Sequence, residues 1–426
     1  MKNIIHAIIM GLLTLFSAYL YLLADAPIAQ KIIIKENPTI DIQKEERQTL
    51  EYLNQLRKGV GLIPLVNNNR LKNSAKNHAK YLIKNALIGH FEDKNIIGYT
   101  GKYASQRAIY NGYKTSMVIE NISNNNFTYK ESIDGLMAAI YHRFGFLDFH
   151  IDEIGIGVEQ SQTDKSQTAF VYDMGSHNLE DICQKKNSIK SGEYATNICA
   201  DKSLKIEAKL FNHILDLNRK RNPKVITYPF DGQTDIPPAF YDELPDPLPN
   251  YSVSGFPISM SFNDSYFKNI NMISFKLFDD KGKEIKNTIV YNHQTDPNRR
   301  LKKFEFALFP LERLTWNSRY IVKAIYKADG KLKNKQWEFK TREFKAPLYE
   351  VSSNKNSFKI NRGEPTIFYF PPQSKRDILS SLKYPSSLDI SFIDKNTIKL
   401  TANTTRNNRI KINIGGNKLS LNIKNN

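Results

Sequence analysis

The chain has 426 residues, 40% hydrophobic and 24% charged, with 24 Phe and 22 Tyr, which excludes general disorder, collagen and a multi-span membrane protein. At roughly 150 residues per domain, the length predicts about three domains. Lysine and arginine number 61 against 43 aspartate and glutamate, a formal net charge of +18, which suits anionic surroundings: nucleic acid, acidic lipid or an acidic wall polymer.

After Met1 and Lys2, residues Asn3 to Ala24 contain no Asp, Glu, Lys or Arg. Twenty-two helical residues at about 1.5 Å each span roughly 33 Å, enough for a bilayer. A cleaved signal has a shorter apolar stretch, about 7 to 15 residues. Ala24-Asp25-Ala26 offers small residues for a cut, but Pro27 follows at once. The expectation is an uncleaved signal anchor, with a cleaved signal and a buried core helix as alternatives. An anchor leaves the body outside the cytoplasm, in a periplasm or at the cell surface; a cleaved signal makes the protein secreted. No cysteine lies near this segment, so a lipid-modified cysteine anchor is excluded.

Residues 26–40 read as a tether. Asp41 opens a helix to about Lys58, with Leu50, Leu53 and Leu56 on one side and Gly59 and Gly61 at its end. A second helix is expected from about Asn69 to Leu87, with His78 on its apolar stripe as a core histidine. A third covers about Lys130 to Tyr141, with Ile133, Leu136, Met137 and Ile140 as its buried edge. His150, Asp152 and Glu153 read as a capped, solvated turn before the strands Ile154–Val158 and Thr168–Tyr172. Helices interrupted by β-rich tracts predict an α/β sandwich. Cys183 and Cys199, 16 apart, are the only cysteines. Export predicts that they form one disulfide, and two thiolates alone cannot close a structural zinc site. A further helical stretch runs from Leu204 to Asn218.

Between Val225 and Asn250 stand Pro229, Pro237, Pro238, Pro245, Pro247 and Pro249, which excludes helix. Short alternating runs follow, including Ile258–Phe262, Ile273–Phe278, Phe304–Leu308, Tyr320–Tyr326 and Trp337–Phe339. Turn signals at Asp279–Gly282 and Asp329-Gly330 separate them, as in an antiparallel β-sandwich. The aromatics of Phe256–Asn263 are expected in its core. The last segment repeats this grammar in Thr366–Phe370, Leu388–Phe392, Thr397–Leu400, Ile410–Ile414 and Leu419–Ile423. Residues 351–426 carry 13 basic and 4 acidic side chains, half the net charge of the whole chain, so an electrostatic partner is expected at this end.

Only eight histidines occur, and His78, His90, His142 and His150 cluster in the helical region. Gly89-His90-Phe91, then Ile119-Glu120-Asn121-Ile122-Ser123, Tyr141-His142-Arg143 and the glycine-rich Ile154–Val158 follow one another over about a third of the chain. In order and spacing these segments resemble the CAP superfamily of cysteine-rich secretory proteins, antigen 5 and pathogenesis-related 1 proteins, in its bacterial, cysteine-poor branch. The resemblance implies a three-layer α/β/α sandwich with a cavity joining two histidines and acidic residues. His90 and His142 match the histidines and Glu120 the acid of the ENI segment. The family's further acid, on the helix before the second histidine, has no match, since Ala138 and Ala139 stand there. Two imidazoles and one carboxylate could hold zinc with an open water position, Glu120 then acting as the catalytic carboxylate, or could orient a polar ligand. Their bland alternative is tying loops together by hydrogen bonds. More weakly, Pro229–Pro238 and Trp337–Thr341 resemble the opening and closing phrases of bacterial immunoglobulin-like modules, which space or bind.

Ser105, Ser123 and Ser132 lack the strand-turn-helix GxSxG setting of a serine hydrolase, and no P-loop, GxGxxG or HExxH is present. The expected fold is α+β: a signal segment (1–25), a tether (26–40), a three-layer CAP sandwich (41–180), a disulfide loop and helical connector (181–224), a Pro-rich junction (225–250), an immunoglobulin-like β-sandwich (251–345) and a small basic C-terminal β domain (346–426). Two functions are compatible with this reading. One is a binding or scaffolding module for an envelope ligand, whether wall polymer, lipid or surface protein, with His90, Glu120 and His142 as ligand-binding residues. The other is a metal-assisted hydrolase using the same residues and zinc on His90 and His142. Nucleic acid is not an expected partner, because export and the lack of a nucleic-acid module oppose it.

Overall fold

The computed structural model describes residues 37–185, 192–352, 354–379, 382–385, 387–403, 409–414 and 417–424. The expected signal anchor falls outside these residues, and no described helix is long and apolar enough to cross a membrane. The described chain divides into two compact units, one ending at Lys345 and including Pro372–Ile378, the other formed by Ala346–Pro371 and residues from Leu379 onward.

In the first unit the Asp41 side chain accepts the Lys44 N–H at 3.1 Å and starts α1 (Ile42–Gly59). Asn68 does the same for α2 (Asn69–Asn85), taking the N–H groups of Arg70 and Leu71. There follow α3 (Ala104–Tyr110), α4 (Tyr129–Ala138) and α5 (Ile140–Phe146). Strands β1 (Val66–Asn67), β2 (Ile119–Asn124), β3 (Glu153–Gln160) and β4 (Thr168–Gly175) form one sheet in the order β1-β3-β4-β2, parallel only at β1–β3.

Alternation along these strands builds three layers. Ala169 and Val171 pack with Ala75, Ala79 and Leu82 of α2, while Phe170, Tyr172 and Met174 pack with residues of α1 and α4. Gly155 and Gly157 let α2 lie directly on β3. A Cβ there would stand 2.0 Å and 2.3 Å from the backbone of Leu71 and Ala75, closer than any contact tolerates. The third helix expected over Lys130–Tyr141 is instead two helices, broken at Ala139, whose ψ of 114° is extended. Two more helices, α6 (His177–Gln184) and α7 (Ala208–Arg221), follow the sheet. Cys183 and Cys199 are bonded, with Cα atoms 5.3 Å apart.

Beyond α7 lies a β-sandwich. One sheet orders Thr288–Tyr291, Glu305–Pro310, Ile258–Phe262 and Val225–Tyr228; the other orders Ile270–Asp279, Arg319–Ala328, Lys331–Thr341 and Gln233–Ile236. The Pro-rich stretch is therefore no separate junction, since Val225–Tyr228 and Gln233–Ile236 are outer strands of both sheets. This is where proline is tolerated. Phe256, Phe262, Phe306, Trp337 and Phe339 share one continuous core with Leu53, Ile133 and Phe146 of the α/β/α sandwich. The second unit has two four-stranded sheets around its own core, which includes Phe358, Phe368, Leu400, Ile412 and Leu421.

Candidate functional site

Glu120 leaves β2 with both carboxylate oxygens committed. One meets His90 Nδ1 at 2.9 Å and the other takes the Arg107 guanidinium. Arg107, on α3 and fully buried, also donates to the carbonyls of His90 at 3.0 Å, Lys102 at 3.2 Å and Gly101 at 3.3 Å. One buried cation thus fixes both the acid and the loop that presents His90. Burial alone would raise the Glu120 carboxyl, but the His90 hydrogen bond and the Arg107 charge outweigh it and hold it below the usual range. Across the sheet, Glu120 faces Asp173. That fully buried carboxyl is pushed well above its usual range by burial and by the Glu120 charge, so of the pair Glu120 carries the charge and Asp173 the proton.

His142, in the first turn of α5, is placed from two sides. Asn121, beside Glu120, donates to its carbonyl at 2.8 Å. Its Nδ1 lies 3.2 Å from an oxygen of Glu243, which stands 101 residues later in the Pro-rich stretch. The same carboxylate accepts the N–H groups of Ile140 at 2.7 Å and Tyr141 at 3.2 Å. It therefore caps the restarted helix, which explains the break at Ala139: the first turn of α5 finds its acceptor in a distant segment. Burial raises the Glu243 carboxyl; His142 and the two N–H groups oppose this without cancelling it.

The rings of His90 and His142 stack with centroids 6.1 Å apart and 19° between planes. Each Nδ1 faces a buried carboxylate, which fixes the ring and leaves Nε2 as its working atom. Neither Nε2 has a hydrogen-bond partner among the described residues. The His90 side chain is 39% exposed and that of His142 15%, so both edges reach solvent. A catalytic zinc takes three protein ligands at about 2.0 to 2.2 Å. The donor set does not fit one, because Glu120 is committed to Arg107 and His90, and Glu243 to His142 and the backbone. Among the described residues, the single group that brings three such ligand atoms within 4.8 Å of one another is Glu153, His177 and Glu180. There Asn68 and Tyr113 bind Glu153, and Arg70 and Asn68 bind Glu180.

Of the other sequence candidates, His78 lies behind the cleft, close enough for its charge to help lower the Glu120 carboxyl. His78 is fully buried, with Nδ1 2.9 Å from Glu92 and Nε2 3.1 Å from the Gly89 carbonyl. Ser123 and Ser132 form a buried hydrogen-bonded chain with Tyr172. His150 is tied to Asp148 at 2.7 Å. Glu153 does not belong to a solvated turn: it is buried at the start of β3, where the Tyr113 hydroxyl binds it at 2.7 Å. Sequence reasoning missed Arg107, Asp173 and Glu243. A lone arginine on a short helix and a carboxylate 101 residues from its histidine carry no spacing signal.

Residues 50–174 match the family model of the cysteine-rich secretory protein family, CAP. No curated protein matches the chain. Among solved structures, an outer surface protein from Borrelia burgdorferi is 19% identical with a TM-score of 0.29, covering 32% of this chain and 96% of its own. An extracellular protein containing an SCP domain from Bacillus anthracis is 16% identical with a TM-score of 0.28, covering 33% of this chain and 45% of that one, so the chain spans less than half its length. The CAP domain of an enterococcal protein, PrgA, is 17% identical with a TM-score of 0.23, covering 41% and 75%.

Proposed function

Starting from a CAP domain over residues 50–174, we propose that the protein is exported and that its cleft binds, rather than cleaves, a component of the cell envelope. The observation that carries this reading is the pair of stacked imidazoles, each fixed at Nδ1 by a buried carboxylate and open at Nε2. Such edges accept hydrogen bonds from hydroxyl groups and, when protonated, donate to anions. Phe91 and Tyr103, exposed and in edge-to-face contact at 5.6 Å, flank the His90 loop and add flat apolar surface for a sugar or acyl group. Binding is favoured over hydrolysis because Glu120, the one expected base, is neutralised by Arg107 and tied to His90. The uncharged stretch Asn3–Ala24 supports export with an uncleaved anchor.

The test is retention of the full chain by isolated envelope fractions. Replacing His90 or His142 by alanine should weaken retention about tenfold, the loss of one or two charged hydrogen bonds, with an unchanged melting temperature. Release of soluble fragments from the envelope during incubation would overturn the reading in favour of hydrolysis. A lowered melting temperature with unchanged retention would leave the histidines a structural role only.

A further inference from the structure

The C-terminal unit exposes a sheet face of unusual composition. In the strands Ser357–Asn361, Arg409–Ile414 and Asn417–Lys424, alternate residues such as Phe358, Ile360, Ile410, Ile412, Leu419 and Leu421 point into the core. The opposite set faces solvent and includes Lys359, Arg409, Lys411, Lys418 and Lys424, all exposed. Register places them in rows: Lys359 beside Asn422 beside Arg409, then Ser357 beside Ser420 beside Lys411, with Asn361 beside Lys424 and Asn413 beside Lys418. Every described outward position on these strands is Lys, Arg, Ser or Asn. None of the five cations has an acidic partner among the described residues. Glu364, in the turn after the first strand, is held by Asn361 at 2.8 Å.

The exposed strands of the β-sandwich also carry cations: Lys276 is paired with Glu284, Arg319 with Glu338 and Lys340 with Glu343, whereas Lys323 and Lys327 have no acidic partner among the described residues. The exposed apolar residues Ile273, Ile325 and Leu332 interrupt them. There the cations are partly neutralised and broken up by apolar residues; on the C-terminal strands no described outward position is apolar or acidic.

We propose that this face binds a linear, non-nucleic polyanion, a glycan or polyol chain with a sulfate, phosphate or carboxylate on each repeat. Neighbouring strands lie about 4.8 Å apart and alternate residues about 6.7 Å apart along a strand. By this register no two cations are directly opposite and nearest ones lie roughly 7 to 10 Å apart, a spacing that suits successive charges of one extended polymer, and serine and asparagine between them serve hydroxyl groups. An anionic membrane fits less well, because peripheral binding also uses Trp, Phe or Leu inserted at the interface, and the described outward positions include none. Single-stranded nucleic acid fits less well because no aromatic residue stands among the described outward positions for base stacking. The surface shares no residue with the histidine cleft, and the inference does not rest on that site's function.

The experiment measures binding of the full chain, in mild detergent, to fluorescent dextran sulfate. Wild type should bind and lose at least about tenfold in affinity between about 50 and 200 mM salt, as counterion release requires. The triple change Lys359→Gln, Arg409→Gln, Lys411→Gln should cost about tenfold or more, and Lys411→Gln alone about two- to threefold. The triple change Lys323→Gln, Lys327→Gln, Lys331→Gln on the sandwich should leave binding within about twofold, and His142→Ala should not affect it. Dextran sulfate binding that survives the first triple change overturns the proposal. So does binding to phosphatidylglycerol vesicles or a single-stranded oligonucleotide that is as tight as to dextran sulfate and is lost in the same variant.

Discussion

His142 Nδ1 and a carboxylate oxygen of Glu243 lie 3.2 Å apart, although one residue belongs to the α/β/α sandwich and the other to the Pro-rich stretch that leads into the β-sandwich. The cleft is therefore completed by sequence outside the matched CAP segment, at residue 243 against a match ending at 174. Glu243→Gln keeps an acceptor for the N–H groups of Ile140 and Tyr141 but removes the charge beside His142. It should weaken envelope retention by about fivefold to tenfold while changing stability by less than about 1 kcal/mol. Glu243→Ala also leaves two buried N–H groups unpaired and should cost roughly 2 kcal/mol or more in denaturant unfolding.

Arg143 follows His142 but turns away from the cleft. Fully buried, it donates to the carbonyls of Met137 at 2.6 Å and Pro257 at 2.7 Å and to Ser259 Oγ at 3.2 Å, and it lies against the rings of Tyr228 and Phe256 at 4.9 and 4.8 Å. Arg143→Met should destabilise this unit by on the order of 4 kcal/mol, the low end for three hydrogen bonds to a charged group. Arg143→Lys should recover little of it, because a point charge cannot both stack and fork. Urea unfolding of the full chain followed by Trp fluorescence checks this, since Trp316 and Trp337 lie in the adjoining sandwich.

The bond between Cys183 and Cys199 closes a loop across a sequence separation of 16. Reduction, or replacement of both cysteines by serine, should lower stability by about 3 kcal/mol in the chain-entropy model. Non-reducing peptide mass spectrometry should recover the linked pair. Two free thiols in protein taken from its own compartment would refute both the linkage and the oxidising location.

Glu305 is buried in the sandwich, and burial pushes its carboxyl up to about 7. Because the folded value lies above the ordinary value near 4.5, the neutral acid is the favoured form. Its contribution to stability is complete below about pH 4 and is lost as pH rises through about 7. The full loss is on the order of 3 kcal/mol at about 1.4 kcal/mol per unit. Glu305→Gln keeps an acceptor for the Lys302 N–H at 2.7 Å. It should melt higher than wild type at pH 8 and no higher at pH 4, and a constant difference across that range would contradict the assignment.

Chelation offers a further check. With two free imidazole edges and both Glu120 and Glu243 committed to other partners, EDTA should change neither the melting temperature nor envelope retention. Loss of retention restored specifically by zinc would show that a ligand group completes a metal site that the protein alone does not.

Much of this architecture was legible in residue order. Apolar, glycine-bearing runs in β3 and β4, three- and four-residue spacing in α1 and α2, and the punctuation of glycine and proline all report burial within one turn or one strand, so they survive without knowledge of neighbours. The cysteine pairing followed from there being only two. The order of His90, Glu120 and His142 within recognisable segments pointed to one cleft. What the tertiary structure alone decided depends on contacts between distant segments: the break at Ala139, the use of Val225–Tyr228 and Gln233–Ile236 as sandwich strands, the burial of Glu153, and the joining of Arg107 to Glu120 and of Glu243 to His142. Local periodicity cannot encode these, because a helix restarts where an acceptor reaches its free N–H groups. A carboxylate or guanidinium acquires its state from whichever charges the packing of two sandwiches sets beside it.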